Sequence, residues 1–371
     1  MRWHSNVFAA VLAGATAGAQ APRPVAVPMP NATLATEFTM VSDVRELPDR
    51  RVLVIDQMER ILYVADFGSG AVARIGRTGS GPREYLQPLA LLAVGRDSTV
   101  VPDPRNGRWM LLKGADIVGT VGPEAPVLTG GTRVPNGSDY KGHVIALKAI
   151  ATGPVTTTSV PRRDSVLLVR MARATGAQDT VATLVARPSV LRVEGPASAP
   201  TSVSITMNPL STGEGSALFS DGWIAIVRVD PYRVDWIGPS GQRIRGEPLP
   251  FDRVALDERE QRAFLQREAV RTGRPPRDLA SLPEWPAYVR AHTGPLLTAP
   301  DGNLWIRRQE STANLNPPYD VVSRRGELAA RVAVEKDVNV VGFGTGVVYT
   351  TMTDENGIQK LQRRPLPSLK P

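Results

Sequence analysis

Residues 61–88 read ILYVADFGSGAVARIGRTGSGPREYLQP. An apolar run, Ile61 to Ala65, ends at Asp66. Gly68, Ser69 and Gly70 follow, then a second short apolar stretch, and last a glycine–proline corner that closes on Glu84 and Tyr85. Ile, Leu, Val and Tyr in series, stopped by Asp and Gly, predict a strand and a tight hairpin. The Asp side chain bonds its own backbone there, and Gly accepts positive φ. Strand, turn, strand and corner describe one blade of a β-propeller and its hand-over to the next.

Five more segments resemble the first: TVVPDP from Thr99, SVLLVR from Ser165, WIAIVRVD from Trp223, LWIRR from Leu304 and VVYTTMTD from Val347. Successive starts are 38, 66, 58, 81 and 43 residues apart. A period of about 40–50 residues is that of a four-stranded propeller blade. The fold class expected is all-β, a six-bladed β-propeller of four-stranded antiparallel blades, with insertions in the longer gaps. Turn residues agree: Asp103 leads to Asn106-Gly107 and Asp354 to Asn356-Gly357, while Pro239-Ser240-Gly241 and Arg325-Gly326 precede outer strands. Leu34, Phe38, Met40 and Val44 alternate, which predicts an N-terminal strand over about residues 33–46 that completes the last blade. Asp257 to Arg271, DEREQRAFLQREAVR, is instead rich in helix formers and predicts a helical insertion within about residues 252–296. Trp285 to His292 reads as a second, short helix.

The chain has 371 residues, 42% of them hydrophobic, with mean hydropathy −0.14, which excludes both disorder and a polytopic membrane protein. Gly and Pro, 33 of each, suit many strands joined by turns. The first residues differ in kind. Arg2 and His4 precede the apolar run VFAAVLAGATAGA, and Ala17-Gly18-Ala19 offers a cleavage site, so residues 1–19 read as a signal peptide cut near Ala19. The mature protein is expected to be secreted or periplasmic, with no transmembrane segment. Residues 20–32 read as a Pro-rich spacer, 33–365 as the propeller and 366–371 as an extended tail. With no cysteine, neither a lipid anchor nor a disulfide is available. The net charge of +8 falls to +7 once residues 1–19, which hold one arginine and no acid, are removed. The arginine pairs 162–163, 307–308, 324–325 and 363–364 are scattered among acids, which suits solvated faces and argues against nucleic acid as a partner.

Gly79, Gly81, Pro82, Glu84, Tyr85 and Pro88, with Leu62 to Asp66 and Asp301 to Trp305, carry a family likeness. Over most of residues 45–112 and 295–362 the chain resembles the extracytoplasmic bacterial six-bladed propellers of the NHL-like and TolB-like group that carry a G-x-G-P-x-E-Y corner. The resemblance implies the fold and an exported location and says little of chemistry. No G-H…W-D pairing of the WD40 kind is present, and Pro102 stands where the first repeat has Ala65.

Several reactions are excluded by residue type. The chain has no Gly-Lys dipeptide, no G-x-S-x-G and no H-E-x-x-H, and beyond residue 19 only His143 and His292 remain of the histidines. No catalytic residue is therefore assigned. Carboxylates at Asp66, Asp103 and Asp230, with Asn303 and Glu310, are the oxygen ligands a Ca²⁺ ion on a propeller axis would need; capping of turns competes with that reading. Arg77, Arg83, Glu84 and Tyr85 form a polar corner at a glycine-rich turn. Trp305 and Arg307 share one strand face, an aromatic beside a planar cation. These six are the candidate ligand-binding residues, although Glu84 and Tyr85 could equally tie the corner to the next blade, and Trp305 could pack between blades. The expected function is a monomeric, non-catalytic binding or scaffold propeller, without a cofactor, that presents one face to a protein, peptide or glycan. The alternative is a Ca²⁺-dependent lactonase- or esterase-like hydrolase.

Overall fold

Ile61–Ala65 lies in a four-stranded antiparallel sheet, between Val52–Asp56 and Val72–Arg74, with Val41–Glu46 as its first strand. The structure, a computed structural model, describes residues 23–121, 137–150, 160–162, 165–187, 189–194, 202–207, 210–211, 213–272, 275–276, 278 and 285–369. Residues 1–22, Arg163 and residues 370–371, all read from the sequence above, lie outside the described residues.

Five further sheets repeat the first. The second blade is Leu92–Ala93, Ser98–Asp103, Arg108–Lys113 and Asp116–Thr120; the third is Gly137–Ser138, His143–Ala149, Ser165–Ala172 and Gln178–Val185. The fourth is Gly215–Leu218, Ile224–Val229, Tyr232–Ile237 and Arg243–Ile244; the fifth is His292–Thr298, Leu304–Arg308, Tyr319–Val322 and Leu328–Ala333. Val338–Gly344, Val347–Thr353 and Gln359–Pro365 make the sixth. The first strands touch in turn around the ring, blades two to three, three to four, four to five, five to six and six to one. Leu91 N donates to Asp43 Oδ2 at 2.7 Å and joins blades one and two, so the ring is closed. The fold is the six-bladed antiparallel propeller that the sequence predicts.

The six look-alike segments each fall in a different blade, but not at one structural position. Those at Ile61 and Ser165 are third strands, and the other four are second strands. True second strands start at Val52, Ser98, His143, Ile224, Leu304 and Val347, which are 46, 45, 81, 80 and 43 residues apart. The period is thus regular, with two insertions of nearly equal length. One carries a three-stranded sheet, Val160–Arg162, Ser189–Glu194 and Ser202–Met207, which the sequence reading did not foresee. The other carries the expected helix, Glu258–Thr272, started by Asp257, whose Oδ1 accepts Glu260 N at 2.9 Å. The expected second helix is absent: Pro286 lacks a donor, and Leu256 N to Ala287 O and Val289 N to Val254 O pair the segment as extended chain.

The N-terminal strand divides in two. Ala32–Phe38 pairs antiparallel with Gln359–Pro365 and completes blade six, whereas Val41–Glu46 is already the innermost strand of blade one. Within the stretch read as a spacer, Val25–Ala26 adds parallel to the outer edge of blade five. Arg364, fully buried, fixes this segment by donating to Pro28 O at 3.3 Å and to Glu335 Oε2 at 2.7 Å.

Apolar side chains fill the spaces between adjacent blades. Trp236 with Phe219 and Trp223 packs at blades four and five, and Trp305 with Tyr319 and Phe343 at five and six. Each such burial stabilises by about 1.5–3 kcal/mol.

Because strands alternate in direction, the loops joining strands one to two and three to four share one face of the ring, here the hairpin face. Loops joining strands two to three, and the crossovers from strand four to the next blade, share the other. Hairpin-face loops are short, as at residues 47–51, 94–97, 139–142 and 345–346. Among the described residues the corner between Arg74 and Leu92, the extra sheet and the helix all lie on the crossover face. Among the described residues no helix is long and apolar enough to cross a membrane.

Candidate functional site

The corner is built around one carboxylate. Glu84 Oε2 accepts Gly81 N at 2.7 Å, and Oε1 accepts Arg77 Nε at 2.6 Å. A Cβ at Gly79 would stand 2.1 Å from Oε2, and one at Gly81 2.9 Å, so the two glycines clear the space this carboxylate occupies. Gly79 also takes φ 152°, which disfavours any side chain. The spacing G-x-G-P-x-E therefore has a steric cause. The Gly81 amide, followed by the Arg77 guanidinium, holds the Glu84 carboxyl below the usual carboxylate range.

Tyr85 anchors the corner from beneath. Its ring is fully buried between blades one and two, and its hydroxyl accepts Leu62 N at 3.0 Å. Blade two grips the other side: Arg108 donates to Gly81 O at 2.6 Å and Glu84 O at 2.8 Å, and Asn106 Nδ2 to Gly79 O at 3.0 Å. Ser80 Oγ donates to Asn106 Oδ1 at 2.9 Å. The sequence reading missed Arg108 and took Asn106 for a turn residue alone. Their partners lie 24–27 residues away, and only the blade-two hairpin brings them close.

Above this scaffold opens a pocket of about 480 Å³, lined by Gly76, Arg77, Pro82, Arg83 and Glu84. Three of the candidate ligand-binding residues, Arg77, Arg83 and Glu84, thus share one pocket, and Tyr85 supports it without lining it. Arg77 is 79% exposed although paired, and Arg83 is exposed with no bonded partner among the described residues.

Trp305 and Arg307 stand elsewhere. Trp305 is fully buried against blade six and offers no surface to a ligand. Arg307 NH2 pairs with Glu310 Oε1 at 2.8 Å on blade five, across the ring from the corner. Arg308, on the opposite strand face, bonds the buried Asp320 at 3.2 Å, as does Arg331. Tyr232 OH donates to the same carboxylate at 3.0 Å, and burial, then the Asp320 charge, pushes this phenol well up.

Asp66, Asp103 and Asp230 do not meet. Asp66 lies in a hairpin-face loop and accepts Gly68 N at 2.7 Å and Ser69 Oγ at 2.8 Å. Asp103, buried at the end of a second strand, accepts Leu86 N, Gln87 N at 2.9 Å and Asn106 Nδ2 at 2.7 Å. Asp56 ends the second strand of blade one and accepts Thr39 N and Met40 N in the same way. Both acids thus fasten a crossover to the blade it enters. Asp230, in blade four, is exposed and stands 3.7 Å from Arg253. Asn303 donates to Asp301 in a hairpin-face turn. Among the described residues no three His, Cys, Asp or Glu side chains gather as a cation site would require.

One pair has the look of acid–base machinery: His143 Nδ1 lies 2.8 Å from Asp139 Oδ2. The corresponding turn of another blade explains it. In blade five Asn303 Nδ2 bonds Asp301 Oδ2 at 2.8 Å, and in both turns the Asp Oδ1 accepts the backbone N of that same residue, His143 or Asn303. Asn does the same work without a titratable proton, so the bond is a turn device. His292 is buried, stacked on Tyr232, and burial beside Arg290 lowers its pKa to about 4. Burial raises Asp43, on the innermost strand of blade one, to about 7 against the opposing bond from Leu91 N.

No family model matches the chain, and no curated protein sequence does. Solved structures similar to it include a streptogramin B lyase (11% identity, 91% of this chain and 86% of that one, TM-score 0.39). Virginiamycin B lyase from Staphylococcus aureus is similar at 10% identity, over 90% and 98%, with TM-score 0.40. A DUF4221 member from Bacteroides vulgatus is similar at 7% identity, over 92% and 98%, with TM-score 0.48. At these scores the likenesses carry no argument about the chemistry of this chain.

Proposed function

We propose that the protein is an exported binding propeller that presents its crossover face to a protein, peptide or glycan, with the corner pocket as the point of contact. The observation that carries this reading is the pocket itself. A carboxylate, a buried tyrosine and an arginine from the next blade hold a loop rigid, and that loop displays two exposed guanidiniums. A loop held in this way costs little backbone ordering on binding, and Arg77 is already tied to Glu84. The position agrees, since the extra sheet and the helix rise on the same face. Export is supported by the composition of residues 1–19. The hydrolase alternative needs carboxylates converging on the axis and draws no support from the described residues.

Selection of ligands from peptide and glycan libraries on the immobilised chain, followed by hydrogen-exchange mapping, tests the proposal. Protection is expected at residues 76–84. Ligands that protect only the hairpin-face loops, such as residues 219–222, would refute it.

A further inference from the structure

Around the corner the charges are sorted. Arg74, whose NH2 bonds Thr78 Oγ1 at 2.9 Å, Arg77, Arg83 and Arg105 are all exposed. The acids of this corner are spent internally: both oxygens of Glu84 are taken by Gly81 N and Arg77, and Asp103 is buried under three donors. The surface offered to a ligand is therefore cationic, made of guanidiniums, which match carboxylates in geometry. Arg77 already holds a carboxylate through Nε and has no second acceptor for its terminal nitrogens among the described residues. No aromatic lines the pocket, and Tyr85 is buried, so no aromatic ring is offered for a sugar or a base to stack on.

The backbone beside the pocket narrows the ligand further. Val72–Arg74 is the outermost strand of blade one, two residues from Gly76, and its outer edge is unpaired among the described residues. Blade five shows what such an edge accepts: Val25–Ala26 lies on it as an added fifth strand. An extended peptide can add to an edge in this manner, with main-chain bonds for affinity and alternate side chains for specificity. Resting on the binding reading above, we infer that the corner pocket and the adjoining edge of blade one receive an extended acidic peptide, its carboxylates on Arg74, Arg77 and Arg83.

The test measures binding of an acetylated, amidated peptide of alternating Glu and Val to the full chain by fluorescence anisotropy. The peptide with Gln for Glu, an oligouronate and a thymidine oligonucleotide of matched charge serve as comparators. Arg83→Ala removes an exposed side chain with no partner among the described residues, so the fold survives; Arg325→Ala, on the hairpin face, is the control. The acidic peptide should bind, the Gln peptide should not, and Arg83→Ala should weaken binding about tenfold, as the loss of one charge-assisted hydrogen bond does. Arg325→Ala should leave it unchanged. Equal binding of the Gln peptide, equal or tighter binding of uronate or oligonucleotide, or equal effects of the two substitutions would each overturn the inference. A library-selected, non-acidic ligand that protects residues 76–84 would overturn this inference alone and leave the binding face standing.

Discussion

Replacing Tyr85 by Phe removes one oxygen and tests how the corner is held. In the structure that oxygen accepts Leu62 N at 3.0 Å inside a fully buried contact between blades one and two. Leu62 O receives Ile75 N on the same edge of the strand, so the Leu62 amide has no neighbouring strand to turn to. A buried donor left without an acceptor costs about 1–3 kcal/mol, while the ring of Phe preserves the packing. With a urea m-value near 3 kcal/mol/M, a loss of about 2 kcal/mol lowers the midpoint by roughly 0.7 M. Tyr63→Phe supplies the comparison. Its ring sits edge-on to Phe38, its hydroxyl makes no hydrogen bond among the described residues, and its loss should cost under about 0.5 kcal/mol. Urea unfolding followed by tryptophan fluorescence measures both. Equal midpoints for the two variants would refute the claim that the hydroxyl bond, rather than the buried ring, ties the corner down.

Two further outcomes are expected. Asp43, raised to about 7 from 3.8, binds its proton more tightly folded than unfolded, so its contribution to stability falls as pH rises from about 4 to 7. His292, lowered to about 4 from 6.5, acts oppositely, and its contribution is lost as pH falls from 6.5 towards 4. Asp43→Asn should therefore stabilise by roughly 1–3 kcal/mol at pH 8 and by nothing near pH 4; an unchanged slope in a pH series of melting temperatures would count against it. Arg364→Met removes the buried guanidinium from Pro28 O, the exposed Glu335 and the buried Gln362 and should cost about 1–3 kcal/mol, measured by the same unfolding curves.

The blades were legible because their second and third strands are buried between neighbours and so read as runs of Val, Ile and Leu. Which strand was which was not legible. Val52–Asp56 is wholly buried, but it is followed by Gln57, Met58, Glu59 and Arg60 with no Gly, and the eye passes on to Ile61. Inner strands such as Leu92–Ala93 and Gly137–Ser138 are too short to show a period. The corner stood out because its glycines and its acid are locked together by space, and that constraint is written within six residues. The arginines that make the pocket cationic could be named but not placed. Arg108 reaches Gly81 and Glu84 only through the register of blade two, and Trp305 kept its aromatic signature while serving the packing between blades five and six.

Ring closure fixes an order in time. Ala32–Phe38 precedes the four strands of each of blades one to five, and among the described residues it pairs with Gln359–Pro365, which follows them all. Until that strand arrives, Leu34 and Phe38 have no Tyr349 or Leu361 to cover them, and Val44, Val52 and Val54 of blade one lack the same two neighbours. Of the strands in the ring this one waits longest for its partner, and the circle stays open until that partner is made.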